Sequence, residues 1–326
     1  MLDFDSILAN DTIKKSLMTC VHEKRLSHAY IIAGDTGSGK KTLAFALAKL
    51  LLCQNPVDDK PCCDCHTCTK VEALSHPDLF VVGDADGSSI GVDEIRDRVS
   101  HTIRIAPYYG GHKIYIIENA EKLTVQSQNA LLKTIEEPPE YAIIMLLTTN
   151  EKVFLDTIRS RCVTLKMQKL SFETISNAVE QRGVSHEEAD IIATFSSGSL
   201  GRALAILDDE KFRERYVIAT DILKAIHSSD VADIPAYARQ IASVYEKEAG
   251  DFLDLCSMWY RDILVRKRCG AELIFRGESA SIDSLATSYR LEDISKILAS
   301  IQEARSRLAS NVNAQMVVEA VLLDMA

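Results

Sequence analysis

The sequence lacks three features, each of which would define a broad class of protein. No apolar run reaches the roughly 18 residues of a membrane-spanning helix, so no membrane association is expected. The N-terminal residues MLDFDSILANDTIKK have no basic segment followed by an apolar one, as a secretory signal would. Lysine and arginine number 37 against 47 aspartates and glutamates, a formal charge of −10, which argues against a protein that binds nucleic acid by charge alone. We therefore expect a cytoplasmic protein that reaches nucleic acid, if at all, within a larger assembly.

The composition is that of a folded chain with more than one domain. Apolar residues make up 47% and charged residues 26% of the 326 residues, and at roughly 100–200 residues per domain this predicts two or three domains. In the first half, short apolar segments alternate with helical patterns, which predicts an α/β domain with a parallel sheet over residues 1–167. The predicted strands lie at 28–33, 78–82, 113–117 and 141–147, with a fifth candidate at 161–167. Only helical patterns follow, which predicts a small helical domain at 168–210 and a larger one at 211–326.

A glycine-rich segment after the first predicted strand has the arrangement of a phosphate-binding loop. Its glycines allow backbone N–H groups to face phosphate oxygens at a helix N-terminus, and its first lysine would reach the outer phosphates. The next position usually carries a serine or threonine hydroxyl for Mg²⁺, but here it is a second lysine, and the threonine lies one residue further, about 100° around the helix. The candidate nucleotide-binding residues of this loop are Gly34, Gly37, Gly39, Lys40, Lys41 and Thr42.

The end of the third predicted strand also departs from an ATPase pattern. An ATPase of this layout has an aspartate there that positions the metal, usually followed by a glutamate that activates water. This chain has Glu118 and then Asn119, whose amide cannot accept a proton. Two interpretations stay open, a loop kept as scaffold or for binding without hydrolysis, and a competent ATPase site.

Five of the nine cysteines lie between residues 53 and 68. Cys53, Cys62, Cys65 and Cys68 have the spacing C-x8-C-x2-C-x2-C, which predicts a closed, tetrahedral and therefore structural zinc site. Cys63 and His66 are alternative ligands. An iron–sulfur cluster and a set of free buried thiols are the alternatives to zinc.

Several motifs together resemble those of bacterial clamp-loader subunits of the AAA+ family. They cover essentially the whole chain and are specific in combination. Besides the phosphate loop and the cysteine cluster they are SHAY at 27–30, SHPD at 75–78, NALLKTIEEPP at 129–139, SRC at 160–162, WYRD at 259–262 and NVN at 311–313.

The resemblance implies an AAA+ domain, a helical lid at 168–210 and a helical collar at 211–326 that joins subunits into a ring. It implies ATP-dependent loading of a sliding clamp onto primed DNA, within the DNA polymerase III holoenzyme. The implied partners are the tau or gamma and delta subunits, and through the complex the clamp and primer–template DNA. The altered loop is similar to that of a subunit whose own ATP site is inactive, and the alternative is an active motor subunit of the tau or gamma type.

The resemblance also implies roles for three further residues. Arg161 in the SRC motif matches the arginine finger that acts on the ATP of a neighbouring subunit, and its alternative is a surface arginine in an ion pair. Arg202 matches the family's second nucleotide sensor, and Thr149 the first. If the pocket binds no nucleotide, these two sensors have no ligand to detect.

Overall fold

The structure is a computed structural model that describes residues 4–58, 60–83, 89–245, 248–268, 270, 273–310 and 312–326. It divides into two compact units, Met1–Ile175 with Ser196–Arg202, and Ser176–Phe195 with Ala203–Ala326. The predicted three-domain division at residues 168 and 211 stays a prediction. Asn311 of the NVN motif lies outside the described residues.

The first unit contains a five-stranded sheet in which all neighbouring strands are parallel. Its order is β2-β3-β4-β1-β5, so the first strand lies between the fourth and the fifth. The predicted α/β fold with a parallel sheet is therefore confirmed, including its fifth strand. The strands are β1 (Ala29–Ala33), β2 (Leu79–Val82), β3 (Lys113–Ile117), β4 (Ala142–Thr148) and β5 (Val163–Lys166).

Helices cover both faces of this sheet, which explains why its central strands are almost entirely apolar. Every residue of β1, β3 and β4 is buried. Because successive side chains of a strand point to opposite faces, Ile114 and Ile116 pack in one hydrophobic cluster, and Tyr115 and Ile117 in another.

The remaining chain is helical, and most helices lie close to their predicted positions. The predicted helix at 92–103 begins as α4 and continues as a π-helical turn, Arg96–Ser100. The α-helices are α1 (Asp11–His22), α2 (Lys40–Leu52), α3 (His66–Glu72), α4 (Val92–Ile95), α5 (Val125–Glu136), α6 (Asp156–Arg159), α7 (Phe172–Glu180), α8 (His186–Phe195), α9 (Leu200–Leu207), α10 (Phe212–Ala225), α11 (Ile234–Tyr245), α12 (Ala249–Arg268), α13 (Ser279–Ser288), α14 (Leu291–Ala309) and α15 (Ala314–Met325).

The second unit has its own hydrophobic core, built from α10 to α15 around α12. Trp259 and Tyr260 on α12 are almost completely buried in it. The Tyr260 hydroxyl lies 3.0 Å from that of Tyr289, so these buried polar groups satisfy each other. None of the described helices is both long enough and apolar enough to span a membrane.

Candidate functional site

The glycine-rich segment forms a tight turn between β1 and α2. Gly37 and Gly39 have φ values of 75° and 91°, in the left-handed region that favours glycine. Gly34 needs to be small for another reason, since a Cβ atom there would lie 2.8 Å from the Cβ of Met167. At each of the three predicted glycine positions, the backbone conformation or the space available therefore favours glycine over a larger residue.

The tip of the loop is hydrogen-bonded to residues 196–202, which we call the 196–202 segment. The Ser199 hydroxyl donates to the Thr36 carbonyl at 2.9 Å, and the Gly201 amide donates to the Gly37 carbonyl at 3.0 Å. A Cβ atom at Gly37 would lie only 2.5 Å from Ser199 Oγ. The 196–202 segment therefore constrains the phosphate loop, which the sequence pattern did not predict.

Lys40, the lysine predicted to reach phosphates, is bound to its own loop. Its Nζ atom donates to the Gly34 carbonyl at 2.6 Å and to the Asp35 carbonyl at 2.8 Å. Burial lowers the pKa of Lys40, against the opposing effect of nearby carboxylates. The Asp35 carboxylate pairs with Lys169 at 3.0 Å.

Lys41 and Glu118, the two residues that depart from the ATPase pattern, contact each other. The Lys41 Nζ atom lies 2.9 Å from Glu118 Oε1 and 3.1 Å from Oε2. An ammonium group thus lies directly against the carboxylate at the end of the third strand. Thr42 follows in the first turn of α2 and is half-buried.

The two predicted sensors lie near the same loop. The Thr149 hydroxyl donates to Glu121 Oε1 at 3.2 Å, and its amide donates to Oε2 at 3.3 Å. The Arg202 amide donates to Ser199 Oγ at 3.2 Å at the beginning of α9. Glu121 was missed from the sequence, although it is the second glutamate after the third strand.

The four predicted cysteine ligands converge. Their sulfur atoms all lie within 4.8 Å of one another, and the separations from Cys53 to Cys62, Cys53 to Cys65 and Cys62 to Cys68 are 3.5, 3.9 and 4.0 Å. A tetrahedral metal with ligands at about 2.3 Å requires sulfur separations of about 3.8 Å. The donor set and its geometry therefore fit a tetrahedral thiolate site that can hold a metal ion.

Hydrogen bonds around the cluster favour thiolate. Backbone amides donate to two sulfur atoms, from Cys62 to Cys53 at 3.3 Å and from Cys65 to Cys62 at 3.4 Å. Burial alone would raise the pKa of Cys65, but hydrogen bonds from Thr67 and from backbone amides lower it to about 5. Burial raises the pKa of Cys53 and Cys68. These surroundings thus favour the thiolate at Cys65 and the neutral thiol at Cys53 and Cys68.

The alternative ligands Cys63 and His66 are not part of the group of four side chains that converge. Cys63, at a φ of 60°, directs its thiol toward the Pro61 carbonyl at 3.4 Å. It also contacts Lys49, which is completely buried and pairs with Glu72 at 2.7 Å. Burial opposes the charge of Lys49, but its hydrogen bonds to Glu72 and Cys63 raise its pKa overall. Lys49 was not predicted, since it is one polar residue within an apolar helix.

Arg161 lies between α6 and β5, with 40% of its side chain exposed. Its Nη2 atom is 3.1 Å from Glu136 Oε1, and its Nη1 atom donates to the Thr157 carbonyl at 3.0 Å. Within a single chain, Arg161 is therefore a partly exposed arginine in an ion pair, as the alternative interpretation of the sequence expected.

Comparisons with known proteins show which family the chain is similar to. The family described as DNA polymerase III, delta subunit, matches residues 9–171. The delta' subunit of DNA polymerase III from Bacillus subtilis is 29% identical over 314 residues, covering 95% of this chain and 94% of that protein. The delta' subunit from Escherichia coli is 27% identical over 316 residues, covering 95% and 92%. The tau subunit from B. subtilis is 29% identical over 286 residues, covering 81% of this chain, which spans only 50% of that protein.

The chain thus belongs to the DNA polymerase III delta-subunit family. The relatives that it matches over nearly their whole length are delta' subunits, which confirms the resemblance found from the motifs.

Proposed function

We propose that this chain acts as a delta'-like subunit of the bacterial replicative clamp loader and helps ATP-dependent loading of the sliding clamp onto primed DNA. The carrying observation is the ion pair between Lys41 and Glu118, the two residues that depart from the ATPase pattern, in a chain that matches delta' subunits over 95% of its length. Its partners are then the tau or gamma and delta subunits, and the clamp and primer–template DNA through the complex. Any link to DNA polymerase activity is through the holoenzyme.

The chain's own nucleotide site does not hydrolyse ATP in this proposal. A Mg²⁺ ion would have to displace the Lys41 ammonium from Glu118, and no hydroxyl follows Lys40 to hold that ion. Asn119 cannot take a proton from water. The two changes affect different steps, so correcting one leaves the other.

An ATPase assay on the isolated chain tests this part of the proposal. We expect background rates for the wild type and for Lys41→Thr, because Asn119 still cannot activate water. A robust wild-type rate that is lost in Lys40→Ala would contradict it. That result would favour an active motor subunit, the second candidate, which the similarity to the tau subunit supports.

Arg161 supplies an arginine finger in trans in this proposal. A guanidinium group placed beside the γ-phosphate of a neighbouring subunit's ATP stabilises the charge that develops during transfer, an effect worth about 10³–10⁵ in rate at one site. The Arg161 side chain is 40% exposed and lies at the beginning of an edge strand, so it is accessible to another chain.

The test is the ATPase rate of a clamp loader reconstituted with Arg161→Ala, in the presence of clamp and primed DNA. We expect normal assembly and a lower rate, with a drop smaller than a full finger effect because the other ATP sites keep their own fingers. Arg161→Lys should not restore the rate, since the planar fork contributes as well as the charge. An unchanged rate in a complete complex would remove Arg161 from the mechanism.

The cysteine cluster holds a structural Zn²⁺ ion in this proposal. Cys53, Cys62, Cys65 and Cys68 would be its four ligands, and a closed set of four thiolates leaves no position for substrate. The ion would connect the end of α2 to α3 and supply folding free energy to the segment between them.

A further inference from the structure

The guanidinium group of Arg161 is held by three groups of its own chain. Glu136 Oε1 lies 3.1 Å from Nη2, while Nη1 donates to the Thr157 carbonyl at 3.0 Å and to Ser160 Oγ at 3.3 Å. A guanidinium has five N–H donors, so the contacts within the described part of the chain leave the Nε donor and one Nη2 hydrogen for another acceptor. Arg161 can therefore bind an external phosphate oxygen without giving up its own contacts.

Both ends of the ion pair are attached to the same hydrophobic core. Glu136 is the last residue of α5 and directly follows Ile135, which is 1% exposed. The Arg161 amide donates to the carbonyl of Ile158, which is fully buried on α6. Ile135 and Ile158 belong to one cluster, so Glu136 is a fixed reference point for the arginine.

We propose that Glu136 is a positioning residue for Arg161, holding its guanidinium group in one orientation before a neighbouring subunit presents its nucleotide. Arginine has many rotamers, and an unrestrained side chain must lose that freedom at the moment it binds a phosphate. The contact to Glu136 removes part of this freedom in advance. Glu136 itself does not touch the nucleotide. The inference rests on the proposed role of Arg161 in trans.

An exposed ion pair of this kind contributes little to folding stability. Glu136 is 41% exposed at its side chain, so removing it should leave the thermal unfolding of the chain unchanged. Its effect should be seen in turnover of the assembled complex, with the KM for ATP unaffected, because the nucleotide is bound mainly by another subunit.

The test uses the complete clamp loader reconstituted with Glu136→Ala, Glu136→Gln or Glu137→Ala. Glu137 is the matched control, since it is the neighbouring residue, is exposed and has the same charge. Arg161→Ala removes one part of the ATPase rate. We expect that part to fall about 1.5- to fivefold in Glu136→Ala, the range that corresponds to about 0.2–1 kcal/mol for one exposed ion pair. Glu136→Gln keeps an acceptor oxygen and should restore part of it, while Glu137→Ala should match the wild type.

A double variant separates positioning from a general structural effect. Glu136→Ala added to Arg161→Ala should cause no further loss, whereas a structural role would lower the rate again. A wild-type or higher rate in Glu136→Ala, together with a lower rate in Arg161→Ala, would overturn the positioning role. If Arg161→Ala itself leaves the rate unchanged, the proposed function of Arg161 fails and this inference with it.

Discussion

At the scale of single residues, the ion pair between Lys49 and Glu72 predicts that removing one partner costs more stability than removing the other. Lys49 is fully buried, whereas 41% of the Glu72 side chain is exposed. Glu72→Ala would leave a buried ammonium group without its carboxylate, and we expect a loss of about 3 kcal/mol in the free energy of unfolding. Lys49→Met removes the buried charge itself, while the Glu72 carboxylate is already partly exposed, so we expect a loss below about 1 kcal/mol.

Urea unfolding of the two single variants, compared with the wild type, checks this order. Glu23→Ala is a control for loss of a surface carboxylate, since Glu23 pairs only with the exposed Arg25 among the contacts described, at 3.4 Å. A larger loss in Lys49→Met than in Glu72→Ala would contradict the argument, because it would mean that the lysine is needed for more than its charge.

The sequence predicted contacts between residues that are close in the chain and missed contacts between residues that are far apart in it. The cysteine ligands were predicted from spacing because they are close in the chain and share one chemistry. Lys41 and Glu118 were each recognised as departures from an ATPase pattern, but their contact joins residues 77 positions apart. It depends on the strand order, which places β1 and β3 on either side of β4 and which no local pattern contains.

At the scale of elements, the contact between the phosphate loop and the 196–202 segment can be measured with two glycines. Gly37 and Gly111 have nearly the same φ, 75° and 76°, so alanine carries a similar backbone cost of about 1 kcal/mol at either position. A Cβ atom at Gly111 would meet no atom within 4 Å, whereas one at Gly37 would lie 2.5 Å from Ser199 Oγ. We expect Gly37→Ala to lose about 1–3 kcal/mol more than Gly111→Ala.

Chemical denaturation of both variants gives the comparison. Equal losses would show that the 196–202 segment moves away from the loop without cost, and would contradict a constrained loop. Gly37→Ala,Ser199→Ala should recover part of the difference, since it removes the atom nearest to the new methyl group.

The metal site gives a second prediction for elements. We expect about one Zn²⁺ per chain by elemental analysis, with little iron or sulfide. Chelation should increase hydrogen exchange between residues 53 and 72 and leave the far-ultraviolet circular dichroism nearly unchanged. The reason is that α2 is held independently by Leu43, Leu47 and Leu50, all buried in the core of the sheet.

Cysteine variants supply the controls for that measurement. Cys65→Ser should lose the metal, whereas Cys63→Ser should keep it, because the Cys63 thiol is directed to the Pro61 carbonyl. Retention of the metal in Cys65→Ser, or its loss in Cys63→Ser, would show that the ligand set is different.

The sequence predicted which segments are strands and helices better than it predicted their hydrogen bonding and contacts. Apolar runs identified β1, β3 and β4, because strands covered on both faces contain few polar residues. The mostly exposed β5 was only a candidate, since it has no such run. The π-helical turn Arg96–Ser100 was predicted as ordinary helix, since its apolar spacing gives no sign of the change in hydrogen bonding. The 196–202 segment falls within the predicted lid domain at 168–210, and no local pattern predicts its hydrogen bonds to the phosphate loop.

At the scale of the whole molecule, we expect Arg161 to matter for the ATPase rate of the assembled clamp loader and Lys40 to matter little. Lys40 donates to two carbonyls of its own loop, and in the proposed function its nucleotide site is not used. In the same proposal, Arg161 acts on the nucleotide of another subunit. We therefore expect Lys40→Ala to lower the stability of the isolated chain by about 1 kcal/mol, the worth of lost hydrogen bonds, and to leave the ATPase rate of the complex within about twofold of wild type.

The measurement is the ATPase rate stimulated by clamp and primed DNA, in complexes of confirmed composition that contain wild-type, Lys40→Ala or Arg161→Ala chain. Only Arg161→Ala should lower it. Lys122→Ala is a control for removing a positive charge elsewhere in the same unit, since Lys122 follows β3 by a few residues and precedes α5. If Lys40→Ala lowers the rate as much as Arg161→Ala does, the chain's own loop takes part in hydrolysis. The Lys41–Glu118 ion pair would then have to open to admit a metal, and the chain would act as a motor subunit.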